Sequence, residues 1–329
     1  MPTDRTPSPL VLSPDHVPSA GLTPAGQLVP WFGTDTEVRY RQAPHPNLGP
    51  GDVSYRFNRL GYRGEDWPPV KPPGALTLLS VGASEVFGLG VAEEDAFPSL
   101  LARDLAACLS REVISVNLGL CGGSMDYVSR LMSSAITAVR ADVVVFVVPS
   151  SVRREHVNDQ GRRFLYPNAF SPTWWRGMKN RFKYQLGDPE NAQQDRAWRH
   201  LSSDANDALN SFRNYATCEM LCRRHQVRWV FSSFLEDYVQ PIRHLIDERH
   251  YVTPGLADLR DQMLAQRLDP GRVWARDMGH PGSEPHRRMA QLCLERLQQL
   301  YGPDLAFSGS GQYSELVQSP LTASKMPAA

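Results

Sequence analysis

Three short segments of the sequence combine residue types that together could carry out acyl transfer. Ser84 follows the apolar run 75–81, and a glycine-rich stretch occupies 117–124. Asp277 and His280 lie three residues apart in the segment Asp-Met-Gly-His-Pro. A serine hydroxyl, backbone N–H groups and an acid–histidine pair can serve as nucleophile, oxyanion donors and base.

Each of these signals also has a structural explanation when taken alone. Ser84 could cap a helix or belong to an ordinary turn, and the glycines of 117–124 could serve any loop between a strand and a helix. Asp277 could hold His280 in a purely structural hydrogen bond. Chemistry becomes the favoured interpretation because all three segments are expected at the same edge of one sheet.

The elements that must position these residues are predicted to alternate between strands and helices. Short apolar runs rich in β-branched residues predict buried strands at 75–81, 111–117, 141–148, 227–233 and 272–275. Helical spacing predicts helices at 95–109, 124–139, 204–224 and 284–301, the last with Ser283 as its N-cap. The order implies an α/β fold with a parallel sheet of about five strands and helices on both faces.

Composition and charge exclude several classes of function. The 329 residues carry 35 basic and 35 acidic side chains, a zero balance that argues against binding nucleic acid or coating an anionic membrane. No apolar run approaches the roughly 20 residues of a transmembrane helix, and the first residues lack the apolar stretch of a signal peptide. We therefore predict a cytoplasmic protein without integral membrane association.

Metal and cofactor signatures are absent from the sequence. No His/Cys/Asp cluster has metal-ligand spacing, and neither a P-loop nor a dinucleotide fingerprint is present. We predict no metal and no cofactor. The five cysteines are an odd number without tight spacing, which predicts buried free thiols, and Cys218 and Cys222 are expected to share a helix face. His286 is predicted to be a packing or helix-start residue.

The prolines and one polar stretch suggest how the chain is divided. Because 14 of the 27 prolines fall within the first 73 residues, residues 1–50 are predicted to form an irregular arm. A domain is expected over 51–301 with an insertion at 152–200, followed by a flexible tail at 302–329. The insertion is a candidate lid, and its basic and aromatic residues could meet sugar rings or phosphates, or form a solvated helix: Trp174, Trp175, Arg176, Lys179, Arg181, Lys183 and Tyr184.

The same segments carry a family resemblance. The runs LLSVGASEVFGLGVAEEDAFPSLLARDL, VISVNLGLCGGSMDY and ARDMGHPGSEPHRRMAQLCLERL resemble the SGNH or GDSL hydrolase superfamily of serine esterases, lipases and carbohydrate acetylesterases. The upstream FNRLGYRGEDW is similar to the lead-in of many bacterial members. The resemblance covers roughly 55–150 and 226–301, and it implies a flavodoxin-like three-layer α/β/α sandwich.

The resemblance also implies roles for individual residues. Ser84 would be the nucleophile, His280 the general base and then acid, and Asp277 the residue that orients the histidine. The backbone N–H groups of Ser84 and Gly122 would form the oxyanion hole.

Two departures from the family pattern stand out. Ala83 replaces the aspartate of Gly-Asp-Ser, which is not the triad acid, so the nucleophile is expected to survive. The family's oxyanion asparagine after the third strand is replaced by Ser150, and losing one donor can cost about 3 kcal/mol in the transition state. Asn158, inside the insertion, is the other candidate for this donor.

We therefore predict a serine acyl-ester hydrolase acting on small or carbohydrate O-acyl esters. Two alternatives remain open from the sequence. An O-acyltransferase would use the same triad with an alcohol in place of water, and a non-catalytic binding module would keep the scaffold alone.

Overall fold

The computed structural model describes residues 53, 56, 58, 62–68, 70–151, 153–157, 163–167, 203–275 and 279–305. The predicted arm at 1–50 and most of the insertion lie outside these residues. At the carboxyl end, the chain continues beyond 301 as a 3-10 helix over Gly302–Leu305, in which Leu305 is buried. The remainder of the predicted tail is outside the described residues.

Four parallel strands form the central sheet of the described chain, in the order β2-β1-β3-β6. The six strands are β1 Leu76–Gly82, β2 Val113–Gly119, β3 Val143–Val148, β4 Arg153–Val157, β5 Arg163–Pro167 and β6 Arg228–Ser233. Strands β4 and β5 form a separate antiparallel hairpin within the predicted insertion. Every residue of β1 and β3 is buried, as the β-branched runs predicted for strands covered on both faces.

Helices cover both faces of this sheet, which gives the predicted three-layer α/β/α sandwich. The helices are α1 Ser84–Phe87, α2 Phe97–Leu109, α3 Met125–Ala138, α4 Asp204–Arg224, α5 Leu256–Ala265, α6 Pro270–Val273 and α7 Ser283–Tyr301. Side chains of α3 and α4 share one core with the sheet, and those of α2, α5 and α7 share another. The strand order is that of a flavodoxin-like sheet.

The alternation of side chains along β3 separates the two cores. Val144, Phe146 and Val148 point to the α3–α4 face, whereas Val143, Val145 and Val147 point to the other. Phe146 stacks on Trp229 and Phe231 with ring centroids 5.9 and 5.3 Å apart, so aromatic packing fills the first core. In the described chain, no helix combines the length and apolar character needed to cross a membrane.

The prediction of a strand at 272–275 is wrong. The described sheet therefore has four strands instead of about five. Asp269 accepts a hydrogen bond from the Gly271 N–H at 2.9 Å, and Pro270 occupies the first turn, so these residues start the short helix α6. Local capping thus prevails over the apolar pattern. Trp274 keeps only an isolated antiparallel bridge to Pro281.

Two smaller predictions also need correction. Gly282 is the N-cap of α7 and Ser283 its first helical residue, because the Gly282 N–H is already bonded to the Val273 carbonyl and fixes the start of the helix. The thiols are free as predicted, and those of Cys218, Cys222 and Cys293 are buried. Cys121 is half-buried, and the prediction of burial is wrong for Cys108, which is exposed on α2.

His286 has the packing role that the sequence predicts. Its ring is buried in α7, stacks on Phe97 at 6.0 Å, and accepts the Phe97 N–H on Nδ1 at 3.1 Å. Burial, aided by the positive charge of Arg63, lowers the pKa of His286 from 6.5 to about 3. The native state therefore holds this imidazole neutral.

This buried imidazole predicts a loss of stability in acid. Between pH 6.5 and about 3, His286 binds a proton in the unfolded chain but not in the native state. As the pH falls through this range, the free energy of unfolding should therefore decrease by up to about 1.4 kcal/mol per pH unit. His286→Asn keeps an acceptor near Nδ1 but cannot be protonated there, and should flatten that slope in chemical denaturation. His244→Gln, at an exposed histidine, is the control; equal slopes in wild type and H286N would contradict the prediction.

Candidate active site

The parallel register brings the carboxyl ends of the four strands to one edge of the sheet. Gly82 at the end of β1 pairs with Gly119 at the end of β2, and Val148 at the end of β3 pairs with Ser233 at the end of β6. Residues that directly follow these strands therefore meet in one place. Ser84 follows the central strand β1.

Ser84 and His280 are brought together at this edge. The Ser84 Oγ lies 2.9 Å from His280 Nε2, a hydrogen-bonding distance between side chains 196 residues apart. Ser84 is only 5% exposed, whereas His280 is half-buried. A serine hydroxyl at this distance from an imidazole can pass its proton to the ring while its oxygen attacks a carbonyl carbon.

The loop that carries His280 is closed by backbone pairing. The Ala275 N–H donates to the His280 carbonyl at 2.9 Å, and the Gly282 N–H donates to the Val273 carbonyl at 2.7 Å. Arg260 packs its guanidinium 4.4 Å from the centre of the Trp274 ring, which stiffens the strand-like stem of this loop. Asp277, the predicted triad acid, lies outside the described residues.

The glycine-rich loop after β2 is closed by hydrogen bonds between backbone groups. The Gly123 N–H donates to the Leu120 carbonyl at 2.8 Å, and the Leu120 N–H donates to the Gly82 carbonyl at 3.1 Å. Gly122 has φ +81°, a left-handed conformation that favours glycine. Because Gly123 is engaged within the turn, Gly122 is the better placed of the two glycines to donate to an oxyanion.

The hydroxyl of Ser150 is next to a tyrosine that the sequence did not single out. Ser150 lies two residues beyond the end of β3, the strand beside β1. Burial raises the pKa of Tyr238, and the Ser150 side chain acts in the opposite direction. Phe234 lies between Tyr238 and His280, with ring centroids 6.3 and 6.2 Å away respectively. Asn158, the other candidate donor, lies outside the described residues.

A buried carboxyl group adjoins the serine. Glu85 is 2% exposed, and its Oε1 accepts the Ala83 N–H at 2.7 Å. Burial raises the pKa of Glu85 above its ordinary 4.5, while the Ala83 N–H and the charges of Arg153 and His280 act in the opposite direction. Glu85 is absent from the site predicted from the sequence, although an acid directly after the serine is a visible signal.

Replacing Glu85 by its neutral isostere is expected to change the pH dependence of stability. Because the folded pKa is raised, the stabilising contribution of the protonated acid is complete below pH 4.5 and is lost as pH rises through the folded pKa. Glu85→Gln should therefore gain stability relative to wild type as pH rises from about 4 to 8. Denaturant titrations across this range measure the difference, with Glu65→Gln at an exposed carboxylate as control; a constant difference would refute the expectation.

Metal-ligand geometry is not found among the described residues, where no group of three or more His, Cys, Asp or Glu side chains could hold a metal ion.

Comparisons with known proteins give matches only at the level of structure. No family model matches the chain, and no curated protein sequence matches it. Similar solved structures include a lipolytic protein of the G-D-S-L family from Desulfitobacterium hafniense DCB-2, at 10% identity over 67% of this chain and 98% of that one, with a TM-score of 0.41. TesA has 13% identity over 68% and 99% of the two chains, with a TM-score of 0.42.

An acetyl xylan esterase, AlAXEase, is similar at 15% identity over 67% of this chain and 98% of its own, with a TM-score of 0.41. At such low identities the similarity concerns the fold alone. The chemistry of the site has to be derived from this chain's own residues.

Proposed function

We propose that this protein is a serine ester hydrolase of the SGNH or GDSL type, acting on small or carbohydrate O-acyl esters. The observation that carries the proposal is the 2.9 Å contact between Ser84 Oγ and His280 Nε2 at the carboxyl edge of the parallel sheet. Nucleophile and base are within reach of each other, and the glycine-rich loop leaves the neighbouring strand β2 at the same edge of the sheet.

In the acylation step, the neutral His280 imidazole takes the Ser84 proton on Nε2 as Oγ attacks the ester carbonyl carbon. The negative charge that develops on the carbonyl oxygen is stabilised by the N–H groups of Ser84 and Gly122. Collapse of the tetrahedral intermediate breaks the bond to the alkoxy oxygen, and His280 returns its proton to the departing alcohol. Water, activated by the same imidazole, then releases the acid from Ser84.

Asp277 completes the proposal as the residue that orients His280. This role is supported by the spacing of the two residues, three apart in one segment, and by the family resemblance. A carboxylate bonded to Nδ1 would keep the proton on that nitrogen and leave Nε2 free to accept the Ser84 proton.

Covalent labelling tests the nucleophile. Treating the folded protein with a fluorophosphonate probe should give one adduct on Ser84, located by mass spectrometry of the digested protein. Ser84→Ala should abolish the adduct and lower the hydrolysis of a chromogenic acetyl ester by a factor of about 10³ or more. Absence of an adduct on Ser84, or equal ester hydrolysis by wild type and S84A, would refute the proposal and favour a binding module.

Ser150 is the proposed third oxyanion donor, and its hydroxyl is expected to contribute to the rate. Ser150→Ala should lower kcat by roughly tenfold or more, with little change in KM, because the lost interaction belongs to the transition state. Ser151→Ala, at the adjacent half-buried serine, is the matched control. A loss in Asn158→Ala with S150A unchanged would instead assign the donor to Asn158.

A further inference from the structure

The end of helix α1 poses a hydrogen-bonding problem because the helix has only four residues. A helix leaves its last four carbonyl groups without partners inside the helix, which here includes every carbonyl of Ser84–Phe87. The chain beyond Phe87 solves part of this, since the N–H groups of Gly88 and Leu89 both donate to the Ser84 carbonyl at 3.0 Å. The carbonyls of Val86 and Phe87 receive hydrogen bonds from other parts of the fold.

Two side chains from outside the turn meet these carbonyls. Asn117, on β2, donates its Nδ2 to the Val86 carbonyl at 2.8 Å. Arg63 donates Nη1 to the carbonyls of Phe87, at 2.8 Å, and Gly88, and Nη2 to that of Val91 at 2.7 Å. The guanidinium thus donates hydrogen bonds to three carbonyl groups of the segment that follows Ser84.

Arg63 is buried to make these contacts. Only 3% of the residue is exposed, and its guanidinium lies 5.4 Å from the centre of the Phe87 ring. Burying a cation is unfavourable unless polar groups replace its water, and three carbonyl dipoles at a helix end do so here. Because the buried guanidinium is stable only while it keeps these polar partners, it is well suited to holding the three carbonyl groups in fixed positions.

The sequence makes room for Arg63 at Gly88. The φ of Gly88 is +77°, and a Cβ there would lie 2.7 Å from Arg63 Nη1. Glycine is therefore needed both for the left-handed turn that ends α1 and for the close approach of the guanidinium. Gly88 and Arg63 fit one another as a pair.

Hydrogen bonds between the described residues also hold the segment that carries Arg63. The Asn58 N–H donates to the Tyr62 carbonyl at 2.8 Å, and the Tyr62 N–H donates back to Asn58 Oδ1 at 3.0 Å. The Gly64 N–H donates to the Arg56 carbonyl at 2.8 Å. Tyr62 is buried in the core formed with α3 and α4, so the segment next to Arg63 packs against the domain.

We propose that Arg63 is a positioning residue for the Ser84 nucleophile. By holding the carbonyls of Phe87, Gly88 and Val91, the guanidinium fixes α1 from its carboxyl end, while Glu85 holds the Ala83 N–H at the other end. The Ser84 hydroxyl and N–H then keep the orientation needed toward His280 and the oxyanion. This inference rests on the proposed ester hydrolysis and makes the upstream segment part of the catalytic unit.

Three variants of the full chain test the inference: Arg63→Met, Arg63→Lys and Arg63→Ala. We expect R63M to lower kcat about tenfold or more, while KM changes less than threefold, because a misplaced nucleophile affects the chemical step. The rate at which the fluorophosphonate probe reacts with Ser84, measured per titratable site, should fall by the same factor. R63K should fall between R63M and wild type, since an ammonium group cannot span all three carbonyls. Arg56→Met, at an exposed arginine of the same segment, is the matched control and should react as wild type.

Chemical rescue separates positioning from a purely structural role. Millimolar guanidinium chloride should restore part of the lost rate in R63A, whereas sodium chloride at equal ionic strength should not. If the variants lose only melting temperature or titratable fraction, and the surviving sites react at the wild-type rate, the inference is overturned. If R63M and R63A do not fold, a wild-type rate in R63K overturns it as well.

The same experiment distinguishes the two levels of the proposal. A wild-type protein that neither hydrolyses the chromogenic ester nor labels at Ser84 would refute the ester hydrolase and the role of Arg63 together. A wild-type protein that does both, with R63M and R63K as fast per site as R56M, would refute the role of Arg63 alone.

Discussion

The site depends on a short piece of backbone that cannot satisfy its own hydrogen bonds. Helix α1 has four residues, so its N–H and carbonyl groups must find partners elsewhere. Glu85 takes the N–H that precedes the helix, and Asn117 and Arg63 take carbonyls at its end. Two separate parts of the chain, at Asn117 and Arg63, are thereby tied to the helix of one serine, and each restricts how that serine can move.

The general layout could be predicted from the sequence because it depends on patterns that act locally. β-Branched runs gave the four strands of the sheet to within two residues, and α4 has the predicted bounds, with Ser203 accepting the Asn206 N–H at its start. The carboxyl edge of a parallel sheet brings Ser84 and the loop after β2 together as predicted, whereas the loop of His280 follows helix α6 and not the predicted strand at 272–275. The predicted roles of Ser84, His280 and Gly122 in catalysis remain predictions.

What the sequence did not reveal depends on contacts between distant residues. Hydropathy alone gives no sign that Arg63 is buried, since the carbonyls that receive it belong to a turn more than twenty residues away. Hydropathy likewise gives no sign that Glu85 is buried, where its carboxyl group accepts the Ala83 N–H. At 272–275 the apolar pattern misled because Asp269 and Pro270 start a helix, and one turn of capping outweighs three apolar positions.

The hydrogen bond between Ser84 and His280 joins residues 196 positions apart, and this separation has a consequence for biosynthesis. During translation the serine, its turn and the arginine that supports it leave the ribosome early, whereas the histidine follows only after β6 and α5 have been made. A nascent or prematurely terminated chain therefore contains the proposed nucleophile while it still lacks the proposed base. Such a chain would be chemically silent until nearly the whole domain had been synthesised.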